Sequence, residues 1–280
     1  MKIDVDTYVG MKNGVPCLLK LLKENRIKAT FFLSIGPDNS GRAVLQLIKN
    51  PRFLKKMLKT NAPGLYGWKT SLYGTLLPAP MIALSFPEIV AQIITEGHEV
   101  QFHAWDHRRW QDDLPCKTDE WIRQWFQLGI EGFEKLTGSM PTAFGAPSWL
   151  IDNRVLSILS EYPLDYLSCT RAKKPFVYET NHLLEIPSDL PCFEELDQKG
   201  SVNEILDHLR GGGMHVLPVH AEVEGGLFQE KFRELLRGIF NKGFLIGPLR
   251  EMKSQIDVTK LDVRDPGLAL IPGRHSPCAV

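Results

Sequence analysis

The chain is poor in cysteine, with five in 280 residues: Cys17, Cys116, Cys169, Cys192 and Cys278. The number is odd and no two lie close together, which argues against a disulfide framework and a cysteine-type zinc site. A reducing compartment is the natural setting. No run of about 18 to 20 apolar residues exists, so no membrane-spanning helix is expected. An acid already stands at Asp4 and no apolar stretch precedes it, so no secretory signal is expected and the location reads as cytoplasmic. Net charge is absent too: 33 Lys and Arg balance 33 Asp and Glu. Without a global basic field, nucleic acid is not an expected partner. The 43% hydrophobic content rules out wholesale disorder, and no internal repeat or low-complexity segment is found.

Periodicity predicts alternating strands and helices. Strands are expected at 2–5, 30–33, 99–102, 142–145, 166–169, 183–186, 214–219 and 243–246. Helices are expected at about 13–25, 87–96, 118–137, 151–160, 201–210 and 227–241. Such alternation implies parallel pairing and an α/β fold. About eight strands suit a (β/α) barrel, complete or deformed, with a doubly wound open sheet as the alternative.

One further absence is local. From Asn39 through Pro87 there is no Asp or Glu, while Arg42, Lys49, Arg52, Lys55, Lys56, Lys59 and Lys69 are all basic. The stretch also holds Tyr66, Trp68 and Tyr73, and it interrupts the βα rhythm like an insertion. It reads in two ways: as a surface for an anionic lipid, or as a packed insertion with a solvated basic rim.

Three short patterns carry chemistry. His103 and His107 are four apart, and on a helix they would share one face and reach one metal ion. Asp4 and Asp6 close the first strand, and a turn there lets both carboxylates face the same way. His220 ends the apolar run 216–219 and precedes an acidic, glycine-bearing loop. Each pattern alone has a structural reading: coincidence, capping acids or a core-edge histidine. Together they sit at the C-terminal ends of expected strands, where α/β folds build sites. Asp6, His103 and His107 can supply three ligands to a divalent metal and leave one position open. Asp4 can then act as a base and His220 as an acid in metal-assisted amide hydrolysis.

These motifs resemble the NodB-type polysaccharide deacetylases, carbohydrate esterase family 4. Further segments in order narrow the likeness: Ser34–Asn39, Leu65–Trp68, His103–His107 and His220–Gly225 are similar to the branch that deformylates a lipid-linked formamido sugar. The resemblance runs from Met1 to about Leu249 and implies a single deformed (β/α) barrel over 1–250, with the insertion at about 39–87 and a tail of unknown role at 251–280. It implies Asp4 as general base, His220 as general acid, and Asp6, His103 and His107 as ligands of one divalent metal. That metal is zinc by default, with cobalt, manganese or iron open. Trp68, Trp105, Trp149 and Arg171 are the candidate substrate-binding residues. The implied substrate is formamido-arabinose on undecaprenyl phosphate. It would be met peripherally at the cytoplasmic face of the inner membrane, in the lipid A modification that confers resistance to polymyxin-type cationic peptides.

Two positions depart from the family pattern. Leu150 stands where an Arg commonly steadies the base, and Cys169 stands where an Asp usually orients the catalytic His, while Arg171 is kept. Glu222 or Glu224 is the expected substitute partner for His220. The departures leave two other readings open: a deacetylase of another N-acylated sugar or amide, and a silent binder of the lipid carrier. His98, His182, His208, His215 and His275 lack a partner at metal spacing and are expected to be structural or exposed.

Overall fold

The computed structural model describes residues 1–43, 70–196, 201–209 and 212–280. Eight strands form one sheet: β1 (Lys2–Val5), β2 (Thr30–Ser34), β3 (Glu99–Ala104), β4 (Ala143–Phe144), β5 (Tyr166–Leu167), β6 (Phe176–Val177), β7 (Leu184–Glu185) and β8 (Pro218–His220). Their order is β6-β7-β5-β4-β3-β2-β1-β8, parallel throughout except for the β6–β7 pair. The ends β6 and β8 do not meet, so the barrel is deformed and open on one side.

Strand alternation sorts the side chains. Ile3 and Val5 of β1 and Phe31 and Leu33 of β2 face outward into the main core. There they meet α1 (Val15–Glu24), α2 (Pro87–Thr95), α4 (Asp119–Thr137) and α7 (Gln229–Asn241), with α3 (His107–Asp113), α5 (Asn153–Leu159) and α6 (Ser201–His208) beside them. Helix α4 begins at Thr118, whose side chain accepts from Trp121 N, and ends at Gly138 in the left-handed region at φ 77°. Its Gly129 lies flat on Phe102, where a Cβ would come within 2.3 Å of the ring. That close approach seals the outward side of the strand carrying His103. Phe102, Trp110, Trp125, Phe126 and Phe144 interlock there with ring centroids 4.3–6.4 Å apart.

The opposite residues face the barrel interior in layers. At the bottom, Glu99 accepts from Thr30 Oγ1, Gln101 Nε2 and Tyr166 Oη. The first turn of α8 (Leu249–Ser254) plugs this end, with Leu249 N donating to Thr30 Oγ1 at 2.7 Å and Arg250 N to Glu99 at 3.0 Å. Above lies a small apolar layer of Phe32, Ala143, Tyr166, Ile186 and Val216. Lys2, Asp4, His103 and His220 occupy the top. The tail returns as a hairpin of β9 (Leu268–Ala269) and β10 (Cys278–Ala279), tied to Arg171 by its N–H donating to Ala279 O at 2.8 Å.

Most expected elements are present: β1 matches its expected bounds, β2 and β3 run longer, β8 begins only at Pro218, and the others lose one or two residues at an end. Residues 243–246 are the exception and form no strand. Both edges of β1 are taken by β2 and β8, and the segment reaches β1 only through Met1 N donating to Gly247 O at 2.7 Å. Leu245 is consequently left fully in solvent. Helices α3 and α8 and the antiparallel β6 were not expected, being too short for a periodic signal. The basic stretch 44–69, with Leu65, Tyr66 and Trp68, lies outside the described residues. Among the described residues of the acid-free segment, Arg42 pairs internally with Asp113 at 3.3 Å. All five cysteines are free. Among the described residues no helix is long and apolar enough to cross a membrane.

His98 is buried at the start of β3, its ring 5.2 Å from that of Phe31 and its Nδ1 accepting from Ala29 N at 3.2 Å. Burial pushes it from 6.5 down to about 4. As pH falls through that window the unfolded chain takes up the proton first, so stability is full above about 6.5 and declines toward 4. Urea unfolding at pH 7 and pH 4.5 should show His98→Gln losing about 2 kcal/mol less than the parent over this interval.

Candidate active site

The strand ends converge on one pocket of about 260 Å³. Its lining includes Asp4, Asp6, His103, His107, Trp149 and His220. Asp4 of β1 and Asp6, the residue just past its end and next to a bend at Thr7, both line this pocket. The two histidines do not share a helix. His103 belongs to β3, and His107 is the first residue of α3, whose N-cap Asp106 accepts from Arg109 N at 2.9 Å and from Asn39 Nδ2 at 2.6 Å. The turn between strand and helix brings the two rings to 5.3 Å.

The donor atoms are set up for a cation. His103 Nδ1 lies 2.7 Å from the carbonyl of Gly145, which can only accept, so Nδ1 carries the proton and Nε2 presents a bare lone pair. That lone pair faces Asp6 Oδ1 at 3.1 Å, and His107 Nε2 faces Asp6 Oδ2 at 3.3 Å. Among the described residues neither His103 Nε2 nor Asp6 Oδ1 has a hydrogen-bond partner, although both are buried. Burial pushes His107 down to about 4, despite Asp6 beside it, so its ring is neutral near pH 7. Burial alone would raise Asp6, but His107 and His103 outweigh it and hold the carboxyl well below the usual range. Ligand atoms of a tetrahedral ion with bonds of about 2.0–2.1 Å stand roughly 3.3 Å apart. The observed spacing matches, so Asp6, His103 and His107 fit a divalent metal.

Asp4 stands beside this triad. One oxygen, Oδ1, is buried with no hydrogen-bond partner among the described residues. The other lies 3.5 Å from Lys2 Nζ. Lys2 is wholly buried, donates to Ser168 O at 2.8 Å and stands 4.8 Å above the Phe32 ring. A cation therefore does lie against Asp4, though Leu150 occupies the family's arginine position. Sequence reading missed Lys2, whose signal was its place two residues before Asp4 on an otherwise buried strand.

His220 pairs in register with Asp4 across β1 and β8. The loop after it is pinned where Gly225 meets Gly14, a Cβ on Gly225 coming within 2.4 Å of the Gly14 carbonyl. Its expected partner is corrected by the geometry. Glu224 accepts from the His220 backbone N–H at 2.7 Å, not from the ring. Glu222 is buried under Gly10, and burial together with Asp6 pushes its carboxyl well above the usual range. The ring's Nδ1 instead lies 3.0 Å from Glu194 Oε2, a contact too oblique for an aligned hydrogen bond. Burial disfavours the charged imidazole, but Glu194 outweighs it and raises His220 well above its ordinary value. Cys169, at the family's aspartate position, is buried and donates to Phe144 O at 3.4 Å, and burial holds its thiol well above the usual range. Glu194 sits on a short turn, Phe193–Glu195, that carries no motif recognisable in sequence.

The four aromatic and basic candidates separate. Trp149 lines the pocket, edge-on to His220 at 6.1 Å, with its Nε1 donating to Ser188 Oγ. Ser148 and Trp149 both hold positive φ, 54° and 53°, a strained backbone that places the indole. Arg171 lies behind Trp149, bonded to Ser188 O, Leu190 O and Glu195, and does not line the pocket. Trp105 is likewise outside the lining, its ring covering Gly36. Trp68 lies outside the described residues. The tail contributes what sequence did not anticipate: Gly273, Arg274, His275 and Ser276 line the pocket. Arg274 stands 4.7 Å over Trp149 and donates to Ser148 O.

The chain is similar to known proteins over most of its length. Residues 5–167 match the family model described as polysaccharide deacetylase. A protein of Shewanella sediminis named "Probable 4-deoxy-4-formamido-L-arabinose-phosphoundecaprenol deformylase ArnD" is 33% identical over 264 residues, covering 92% of this chain and 86% of that one. A protein of the same name from Wigglesworthia glossinidia brevipalpis is 29% identical, covering 95% of this chain and 96% of its own. A crystal structure from Mycobacterium smegmatis, titled as a polysaccharide deacetylase, superposes with a TM-score of 0.64 at 18% identity, covering 97% of this chain and 93% of that one. At that identity the likeness concerns the fold.

Removing the Lys2 ammonium would leave Asp4 buried without its counter-charge. Lys2→Met should cost about 3 kcal/mol in urea unfolding at pH 7, and neutralising Asp4 in the same chain should recover part of the loss.

Proposed function

The chain belongs to the polysaccharide deacetylase family, and from that premise we propose that it hydrolyses the formamide of 4-deoxy-4-formamido-L-arabinose carried on undecaprenyl phosphate. The substrate is the one named for both relatives. The observation that carries the chemistry is a set of buried atoms that have no hydrogen-bond partner among the described residues, Asp4 Oδ1, Asp6 Oδ1 and His103 Nε2, converging in one pocket. In native proteins such orphaned groups are rare away from functional sites.

Asp6, His103 and His107 would hold a divalent ion, which when bound would supply Lewis acidity to the carbonyl and the water. Zinc is the default for two imidazoles and a carboxylate, and cobalt, manganese and iron suit the same set. Asp4 Oδ1 takes a proton from the attacking water as its oxygen bonds to the formyl carbon. Lys2 holds the opposite carboxylate oxygen and fixes the orientation of Asp4. His220 gives its proton to the sugar nitrogen as the C–N bond breaks, so formate leaves and the amine remains. Glu194 keeps the imidazole charged until that transfer. Trp149 forms the wall beside His220 and suits the apolar face of a sugar ring.

The product gains a positive charge at neutral pH. Carried on to lipid A, it lowers the negative charge that polymyxin-type peptides bind. A lipid-linked substrate implies peripheral contact with the cytoplasmic face of the inner membrane, for which the acid-free segment 39–87 supplies basic residues.

Metal-loaded protein incubated with the lipid-linked formamido sugar should release formate. Asp4→Asn should reduce turnover by about 100-fold or more. His107→Ala should lose both bound metal and activity, whereas undiminished turnover after chelation would overturn the scheme. Release of acetate from a matched acetamido sugar, but no formate, would instead assign a deacetylase. Because His220 acts in its charged form, activity falls as pH rises through its pKa. Glu194→Gln removes the neighbouring negative charge, so the alkaline limb of kcat/KM should move to lower pH by about one unit.

A further inference from the structure

We propose that Cys192, Glu194 and His220 form a second cation site, separate from Asp6, His103 and His107, and that filling it with a thiophilic divalent ion switches the enzyme off. The inference rests on the proposed role of His220 as the acid.

The three side chains offer a sulfur, a carboxylate oxygen and an imidazole nitrogen, all within 4.8 Å of one another. All three line the active-site pocket, so an ion in solution reaches them. His220 Nδ1 is buried and lacks an aligned hydrogen bond, although Glu194 stands 3.0 Å away. Cys192 precedes the turn Phe193–Glu195, and its carbonyl accepts from the Glu195 N–H at 3.1 Å, which fixes where the sulfur stands. Burial favours the neutral thiol, so the thiolate forms as an arriving ion displaces the proton. One sulfur, one nitrogen and one oxygen suit zinc or cobalt(II), with a fourth position open. The spacing along the chain hides the site, because Cys192 and Glu194 come from a turn and His220 from the end of β8.

The consequence for the acid is direct. Binding expels two protons to solvent, one from the Cys192 thiol and one from His220 Nδ1. With a metal on Nδ1 and Glu194 turned to that metal, the ring no longer carries the charged form that Glu194 sustains. The amine then has no proton donor. The donor atoms of the first site already stand 3.1 and 3.3 Å apart, the spacing a tetrahedral ion needs, so that site fills first and the thiol-bearing site fills second.

Cobalt(II) separates the two events, because only the second site contains sulfur. Metal-free full-length protein titrated with cobalt(II) should show no sulfur-to-cobalt charge-transfer band in the near ultraviolet during the first equivalent, and a growing band during the second. Formate release measured along the same titration should rise through the first equivalent and fall through the second. In Cys192→Ser the band should be missing. The cobalt concentration giving half inhibition should rise at least about tenfold, the loss expected even for an outer-shell partner. Glu194→Gln, which leaves the sulfur in place, should weaken the band and its affinity, guarding against misfolding of the serine variant. Absence of the band at saturating cobalt, or its persistence in Cys192→Ser, would overturn the proposal. If the amide-hydrolysis reading fails instead, no formate appears at any cobalt level, while band and stoichiometry still report the second site.

Discussion

Asp6 Oδ1 and His103 Nε2 face each other across 3.1 Å at the top of the barrel, and among the described residues neither has a hydrogen-bond partner. The surrounding scaffold holds the two atoms where one cation can join them. The carbonyl of Gly145 fixes the tautomer of His103. The Asp106 cap sets where α3 begins and so where His107 points. The end of β1 delivers Asp4 and Asp6 to the same pocket. Each constraint is local to the C-terminal end of a strand, where α/β folds build their sites.

Charge compensation in this pocket is spatial rather than sequential. The family pattern would put a cation at position 150 and a carboxylate at position 169. Here the cation beside Asp4 is Lys2 and the carboxylate beside His220 is Glu194. Both vacated positions have become neutral: Leu150 packs against the core and Cys169 is buried. Under the proposed chemistry, the base and the acid keep their partners while the residues supplying them have moved to other strands and turns. Moving the acid's partner to Glu194 also places it next to Cys192, which creates the second cluster of ligand atoms.

The tail closes both ends of the molecule. Helix α8 plugs the bottom of the barrel through Thr30 and Glu99, and the hairpin beyond it carries Gly273–Ser276 to the pocket. Gly273 is in the left-handed region at φ 80°, and a side chain there would strike the carbonyl of Glu195. The turn that holds Glu194 and the turn that holds Arg274 are thus packed backbone to backbone.

Sequence by itself determined the strand–helix alternation, the deformed barrel and the meeting of Asp4, Asp6, His103, His107 and His220. The alternation rests on local periodicity, which left a doubly wound sheet open, whereas the deformed barrel and the joint site rest on the family resemblance of short motifs written in consecutive residues. It did not reveal Lys2, Glu194, the tail residues at the pocket or the absence of a strand at 243–246. Those depend on which edges of the sheet are already occupied and on which distant segments cross in space. A hydrogen bond or an ion pair needs only proximity, and proximity between Lys2 and Ser168, or between Glu194 and His220, arises only once the sheet has curled to bring their strands and turns together.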